Sequence, residues 1–270
     1  MARRPTPWHA RWTLVPTALL LSVALGLAAC GASVPSTARG RAGAGTLALE
    51  SVAALSSVRF VELNGSITSG SGTKAASSIS VTNVISGHGT SEGTVDVAGN
   101  PSGQKGDRFT GRVRYVVANH LTWVDGSNEF WTTLLSTAGA SHSQVSSLLK
   151  KLAGHWIELI AASTSVFNTA TAGLIDPRGF AQQFLHASAG QFSNEGDVSV
   201  NGKHVVELAT SKGAVADLAP TGSALPVAIR TKAPSQVGTS LQYAYPSSVS
   251  IAPPKHFEYL ETILKPYLKH

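Results

Sequence analysis

The sequence contains very little cysteine: Cys30 is the single cysteine among 270 residues. One thiol excludes a disulfide within the chain and excludes multi-cysteine metal sites. Charged residues are also few, at 13% of the chain, and no basic run with interleaved aromatic residues occurs. The sequence therefore lacks the electrostatic pattern of a nucleic-acid-binding protein, and its fold must depend on apolar packing.

Recognisable catalytic and metal-binding motifs are also missing. The chain has no G-x-S-x-G elbow, no H-x-x-x-H pair and no glycine-rich phosphate loop between a strand and a helix. Three Ser-x-x-Lys pairs begin at Ser71, Ser102 and Ser147, but the companion motifs of Ser-Lys hydrolases are absent. We therefore predict no catalytic residue, no metal site and no cofactor, and we predict that the protein is not an enzyme.

The N-terminus has a clear targeting pattern. Residues 1–11 contain three arginines and no acidic residue, and residues 12–29 are almost wholly apolar. A basic segment followed by an apolar one is typical of a secretory signal peptide. The apolar run is also close to the length of a transmembrane helix, so an uncleaved anchor is the alternative.

The position of the cysteine favours the signal peptide over the uncleaved anchor. Leu27-Ala28-Ala29-Cys30 resembles a bacterial lipobox, in which the thiol is acylated and the cysteine becomes the first residue. We predict a lipoprotein signal peptide at 1–29, lipidated Cys30 with a flexible tether at 30–44, and a single domain at 45–270. Two or more acyl chains on one residue give stable membrane anchoring, where one chain gives marginal binding.

The sequence pattern of the domain is typical of an antiparallel β protein. In "DRFTGRVRYVV", residues 107–117, apolar residues alternate with arginines and threonine, which indicates a strand with one buried face. Weaker alternation predicts strands at 57–68, 76–86, 92–98, 155–161, 225–231 and 239–245, and Asn201-Gly202 predicts a tight hairpin. Short helices are predicted at 45–56, 142–153, about 177–187 and 256–264.

The strands need a cover for their apolar face, and two arrangements are compatible with the pattern. A second sheet could close a sandwich, or a curved sheet could wrap an apolar interior partly filled by helices. Trp123, Trp131 and Trp156 lie beside strand-like apolar runs, where they fit core packing or the wall of a hydrophobic pocket. The residues alone do not choose between these arrangements.

A resemblance to a known family favours the curved sheet over the sandwich. The lipobox, "SSVRFVELNGSI", "LIDPRGFAQQFL", "VNGKHVVEL", "LPVAI" and "SVSIAPP" occur in an order that resembles actinobacterial lipoproteins of the LppX/LprA/LprF/LprG type. That resemblance implies a LolA/LolB-like α+β fold: a strongly curved antiparallel half-barrel with a few helices on its concave face, enclosing an apolar cavity. The C-terminal "KHFEYLETILKPYLKH" falls outside the pattern, which leaves the end of the domain open.

The resemblance also implies a function. The protein would be a cell-envelope lipoprotein, lipid-anchored to the outer face of the cytoplasmic membrane, that binds an acylated lipid or glycolipid and carries it between envelope membranes. An envelope transporter is a candidate partner, and nucleic acid is not. From strand and helix alternation alone, we predict that the cavity is lined by Ile79, Val81, Val95, Val97, Phe109, Val113, Tyr115, Leu148, Leu149 and Leu152.

Two other functions are compatible with the sequence. The domain could be an interaction or sensor module that docks an envelope protein and carries no lipid. It could also be a hydrolase of envelope material, which would require serine, histidine and aspartate side chains within hydrogen-bond reach.

Overall fold

A computed structural model describes residues 37–71, 74–99, 110–137, 139–171, 173–232 and 238–267. The signal peptide, the lipobox and Cys30 lie outside these residues, as does Phe109 of the predicted cavity lining. Within the described residues, every helix is too short or too polar to cross a bilayer.

The described strands form one large sheet. Their bounds are β1 Val61–Ser71, β2 Lys74–Ser86, β3 Ser91–Gly99, β4 Gly111–Ala118, β5 Leu121–Gly126, β6 Ile157–Glu158, β7 Phe192–Val200, β8 Lys203–Thr210, β9 Ala214–Leu218, β10 Pro226–Thr231, β11 Gly238–Ala244 and β12 Glu258–Tyr259. The spatial order is β12-β6-β5-β4-β3-β2-β1-β11-β10-β9-β8-β7.

The sheet is curled and open, since its first and last strands, β12 and β7, are not paired with each other. All neighbouring strands are antiparallel except β12 and β6, which are parallel. The Asn201-Gly202 hairpin is confirmed: both residues have positive φ, 52° and 75°, between β7 and β8. The predicted α+β class with an open, mostly antiparallel sheet is confirmed.

Six helices lie in the described residues: α1 Ala44–Ser57, α2 Asn128–Thr137, α3 His142–Leu152, α4 Ala161–Ala170, α5 Pro177–Ser188 and α6 Leu260–Leu264. The start of α3 carries a full capping box, in which Ser141 and Gln144 bind each other's backbone N–H groups. At the start of α5, the Asp176 carboxylate accepts from Gly179 N at 3.1 Å, and Pro177 occupies the first turn.

The helices cover one face of the sheet. Helix α1 packs along α5, and α5 lies on β1 and β2, while α2 lies on β4 and β5. Helix α2 approaches β4 very closely, because a Cβ at Gly111 would lie 2.4 Å from Phe130 N. The buried faces of helices and sheet belong to one continuous apolar cluster. The two-sheet sandwich, which the residues alone had left open, is therefore not the arrangement of the described residues; they form a single sheet covered by helices.

Three local predictions were wrong. The strand predicted at 155–161 is limited to Ile157–Glu158, and α4 follows it from Ala161. Trp131 was expected beside a strand, but it lies within helix α2. Ser127 caps the first turn of this helix, because its Oγ accepts a hydrogen bond from Phe130 N at 3.2 Å. The helix predicted at 256–264 is shorter, since residues 258–259 pair with β6 instead.

Residues 257–264 near the C-terminus pack against the rest of the described fold. Strand β12 extends the sheet, and Leu260 and Ile263 of α6 are buried in the main apolar cluster. The ring of Phe257 lies edge-on to Trp123, with centroids 5.7 Å apart. Removal of this segment would therefore expose parts of two apolar clusters.

The structure also shortens the predicted flexible tether. Thr37 donates from its backbone N to Asp197 Oδ2 at 2.6 Å and from Oγ1 to Asp197 Oδ1 at 2.9 Å. Arg39 donates to the carbonyl oxygens of Ala219 and Gly222, at 2.7 and 2.8 Å. Residues 37–43 therefore lie docked against the β7–β9 side of the domain, since Thr37 and Arg39 form hydrogen bonds with residues of that side.

Candidate functional site

The inner wall of the site is built by three neighbouring strands. Ile79 lies opposite Val97 and Val81 opposite Val95 across β2 and β3, and Val95 lies opposite Val113 across β3 and β4. None of these five side chains is more than 5% exposed. Because residues two apart on a strand face the same side, this register places all five on the helix-covered face.

Helix α3 supplies residues of the facing wall. Leu148 and Leu152 are buried in the same apolar cluster as the strand residues, and Leu149 packs against that cluster while remaining partly exposed. The capping box fixes where α3 begins, and its i, i+4 spacing puts Leu148 and Leu152 on one stripe. Together with Tyr115, the structure brings nine of the ten predicted lining residues into one apolar region; Phe109 is the tenth.

An aromatic layer between sheet and helices was not foreseen. Phe130 meets Trp131 edge-on at 5.0 Å between ring centroids, and Phe167 of α4 meets Tyr115 of β4 at 5.7 Å. Phe130 and Phe167 are 6.4 Å apart and join the two pairs. Helical spacing of Phe130, Trp131 and Leu135 after the capping Ser127 is the signal that could have found this layer.

Tyr115 has a fixed orientation within the apolar region. Its hydroxyl donates to the backbone oxygen of Ile175 at 3.2 Å and lies 3.1 Å from Ser91 Oγ. Ser91 Oγ donates to the same Ile175 oxygen. Burial raises the pKa of Tyr115, so the phenol stays protonated and serves as a hydrogen-bond donor.

Two polar atoms on aromatic side chains of the main apolar cluster have no partner among the described residues. They are Trp131 Nε1 and the Tyr243 hydroxyl, and both residues belong to the main apolar cluster. Burial raises the pKa of Tyr243 well above its usual value, so this hydroxyl is also a neutral donor. A buried donor without an acceptor costs about 1–3 kcal/mol, which a hydroxyl or ester group placed there would recover.

Only one of the three tryptophans singled out in the sequence lies in this interior. Trp131 is fully buried there, whereas Trp123 forms a separate cluster with Val116 and Ala118 on the other face of the sheet. Trp156 packs against that second cluster. The alternation had indicated that the outward face of β4 is exposed to solvent. That prediction was wrong at Val116, which is buried in the second cluster.

The described residues contain no cluster for metal binding, and their His204–Asp197 pair is not arranged as in a catalytic triad. Among them, no group of three histidine, cysteine, aspartate or glutamate side chains is placed to hold a metal ion. His204 Nε2 lies 3.0 Å from Asp197 Oδ1, but the nearby hydroxyl, Thr37 Oγ1, also binds that carboxylate. A catalytic triad instead requires the hydroxyl and the carboxylate on opposite nitrogens of the imidazole.

Comparisons with known proteins give likenesses to solved structures only, seven chains in all. No family model matches the sequence, and no curated protein matches it significantly. Among solved structures, the crystal structure of LprF from Mycobacterium bovis matches with a TM-score of 0.42 and 13% identity, covering 82% of this chain and 99% of that chain.

LprF is one of the proteins named in the resemblance drawn from the sequence. At this identity the likeness concerns the fold alone, and the α+β fold with its open antiparallel sheet is established here by the strand pairing itself. The match to LprF assigns no role to any residue of this chain.

Proposed function

We propose that this protein is a cell-envelope lipoprotein that holds an acylated lipid or glycolipid between its sheet and its helices, and carries that lipid between envelope membranes. The observation that carries the proposal is the uninterrupted apolar wall over β2, β3 and β4, faced by helices across an aromatic layer. Acyl chains are bound by such surfaces without any chemical step.

The helices over β4 and β5 are joined to the rest of the fold in a way that allows them to move together. Helix α3 packs chiefly on α2, and α2 lies on β4 and β5. Gly139, Gly154 and Gly173 flank the helices of this layer with φ of 88°, 76° and 74° and have open space around them. Glycines of this kind are suitable hinges for a layer that separates from the sheet to admit an acyl chain.

The energetics of carriage follow from apolar transfer. Burial of one methylene is worth about 0.8 kcal/mol, so a long acyl chain gains roughly 10 kcal/mol in an apolar interior. The bilayer offers nearly the same free energy, since it is also apolar. Transfer between membrane and protein is then close to neutral, which is what a carrier requires.

The unpartnered donors support a ligand that is not pure hydrocarbon. Trp131 Nε1 and the Tyr243 hydroxyl are oriented within an otherwise apolar region. Ester carbonyl oxygens at the base of acyl chains are acceptors of the kind these groups lack. The proposal therefore names acylated lipids rather than free alkanes.

Lipidation of Cys30 completes the proposal by placing the domain at the outer face of the cytoplasmic membrane. Six residues lie between Cys30 and the docked Thr37, so the seven steps of chain from one to the other span at most about 25 Å. The β7–β9 side of the domain would then lie within that distance of the bilayer surface. An envelope transporter that supplies or receives the lipid is part of the same proposal.

A matched pair of leucine variants tests lipid uptake. Leu149 is partly exposed on α3 at the apolar region, so Leu149→Gln is tolerated by the fold better than a change at a fully buried valine. Leu49→Gln alters an exposed leucine of α1, 51% exposed, and is the control. We expect Leu149→Gln to weaken binding of a fluorescent diacylglycerol by the full chain in detergent about tenfold, a loss of about 1.4 kcal/mol.

The control defines what would contradict the proposal. Leu49→Gln should bind like the wild type, and both variants should show the wild-type circular dichroism spectrum. Equal uptake by Leu149→Gln and the wild type would remove α3 from the lipid-binding site. Absence of uptake by the folded wild type would reject lipid carriage altogether.

A further inference from the structure

A second site lies at the end of the sheet where β2 turns into β3. Three separate segments meet there and line an open surface pocket of about 360 Å³. Arg59 and Phe60 come from the connection between α1 and β1, His88 and Thr90 from the turn between β2 and β3, and Ser250 and Ile251 from the segment after β11. None of its lining residues is acidic.

The donors of this pocket are held in place by Arg178 of α5. Its Nη2 donates to the backbone oxygens of Val58 and Arg59, the latter at 2.9 Å, and its Nη1 lies 3.1 Å from His88 Nδ1. Arg178 therefore ties the α1–β1 connection to the β2–β3 turn, which form two walls of the pocket. Gly87 adds to this, since a Cβ there would lie 3.1 Å from the Phe60 ring.

The Arg178 contact also fixes the proton of His88. A guanidinium has donors and no acceptor, so His88 Nδ1 must accept, and the neutral ring carries its proton on Nε2. His88 Nε2–H is then a donor at the pocket, beside the hydroxyl groups of Thr90 and Ser250. The Arg59 guanidinium, 5.1 Å from the centroid of Phe60, lies over that ring.

Positive charge at this site is not balanced by the described residues. None of their carboxylates lies within 4.0 Å of the Arg59 or Arg178 guanidinium. Arg178 is only 9% exposed, and its Nε has no partner among those residues. The acid nearest to it in sequence, Asp176, uses its carboxylate to cap α5. A buried cation without a counter-charge favours an anion nearby.

We propose that this pocket binds a phosphate group. The Arg59 guanidinium, the His88 imidazole and the hydroxyls of Thr90 and Ser250 belong to side chains that line one pocket. These are the donor types that a tetrahedral anion with several oxygens accepts from. Phe60 and Ile251 supply apolar surface at the same place, which suits the carbon atoms of a phosphate ester. The phosphate can be free or can be the head group of a lipid, and the lipid source alone rests on the proposed function.

The test begins with inorganic phosphate and the full chain in non-ionic detergent. Binding is measured by titration calorimetry at neutral pH and constant ionic strength. We expect wild-type binding, and an affinity at least about tenfold weaker for Arg59→Gln and for His88→Ala. Arg112→Gln is the matched control, because it removes an exposed strand arginine that pairs with Asp96, and it should bind like the wild type.

A second arm identifies the source of the phosphate. Phosphatidic acid and diacylglycerol are compared in the same detergent micelles, with the wild type and Arg59→Gln. Preference for phosphatidic acid that is lost in Arg59→Gln, with weak binding of inorganic phosphate, assigns the pocket to a lipid head group. Binding of inorganic phosphate without a preference between the two lipids assigns it to free phosphate.

Two outcomes would overturn the proposal. In one, Arg59→Gln and Arg112→Gln both bind phosphate with the affinity of the wild type, or both lose affinity to the same extent. In the other, inorganic phosphate does not bind to the wild type, and phosphatidic acid binds no better than diacylglycerol. Uptake of diacylglycerol in that second case would leave lipid carriage intact, so failure of the pocket is distinguishable from failure of the proposed function.

Discussion

Docking of residues 37–43 on β7 depends on a single glycine, Gly40, and can therefore be tested with one substitution. A Cβ at Gly40 would lie 2.0 Å from Asp197 Oδ2 and 2.8 Å from its Cγ. Asp197 has a side chain only 1% exposed, so it cannot move aside without leaving its partners. Gly40→Ala should therefore separate the segment from β7 and leave the interior of the domain unchanged.

The magnitude follows from the hydrogen bonds that are lost. Thr37 donates to the Asp197 carboxylate from both its backbone N and its hydroxyl. A hydrogen bond to a charged group contributes about 1.5–3 kcal/mol, so with incomplete additivity docking weakens by about 3 kcal/mol. That change makes the undocked form roughly 100-fold more populated.

Trypsin reports this opening directly, since Arg39 and Arg41 lie within the segment. At low protease concentration, cleavage follows the population of the open form. We expect Gly40→Ala to be cut after these arginines roughly 100-fold faster than the wild type. Gly43→Ala is the matched control, because its Cβ would meet only Thr46 Oγ1 at an ordinary 3.6 Å. Equal cleavage of the two variants would refute the docking argument.

The same contact predicts a dependence on pH. Burial raises the pKa of Asp197, but the hydrogen bonds from Thr37 and the charge of His204 outweigh this and leave the pKa below its usual value. A lowered carboxyl pKa stabilises docking above the ordinary value of about 3.9, and this is lost as the pH falls through the lowered pKa. Hydrogen exchange of residues 38–43 should therefore accelerate, relative to a model peptide, only below about pH 4.

Two further predictions concern buried polar groups. Arg230 Nε lies 2.6 Å from Asp217 Oδ2 and Nη2 lies 2.5 Å from Glu207 Oε2. Arg230→Met leaves the buried Asp217 carboxylate without its cation and Glu207 with Lys232 alone, and it should lower the free energy of unfolding by about 3–5 kcal/mol in urea titrations. A loss under about 1 kcal/mol would contradict the burial of this network. Tyr243→Phe removes an unpartnered hydroxyl and should leave the lipid-free protein equally stable or about 1 kcal/mol more stable, whereas a loss of similar size would show that the hydroxyl has a partner.

The strands could be predicted well because their information is local. Alternation placed Val113 and Tyr115 on the buried side of β4, and Asn201-Gly202 placed a hairpin, since period two and positive φ are properties of adjacent residues. The inward-facing residues of β2 and β3 followed from the same rule. For these residues the sequence predicted burial but not the width of the space between sheet and helices, because alternation carries no information on that distance.

Features made by distant segments could not be predicted. The docking of Thr37 on Asp197 joins residues 160 positions apart, and Arg178 reaches Arg59 across 119 positions. Helix α2 was missed because its aromatic residues favour strands locally, and the cap at Ser127 together with packing on β4 outweighs that preference. In each case tertiary contacts decide the outcome, and single-sequence patterns do not record them.

The most direct test of lipid carriage is native mass spectrometry of the full chain, extracted from its own membrane in mild detergent, with lipid analysis of the same sample. We expect a population heavier than the acylated protein by the mass of one extracted lipid, and loss of that excess mass in Leu149→Gln but not in Leu49→Gln. A single mass without excess, unchanged after incubation with lipid from the same membrane, would contradict lipid carriage and show that the interior is closed to ligands.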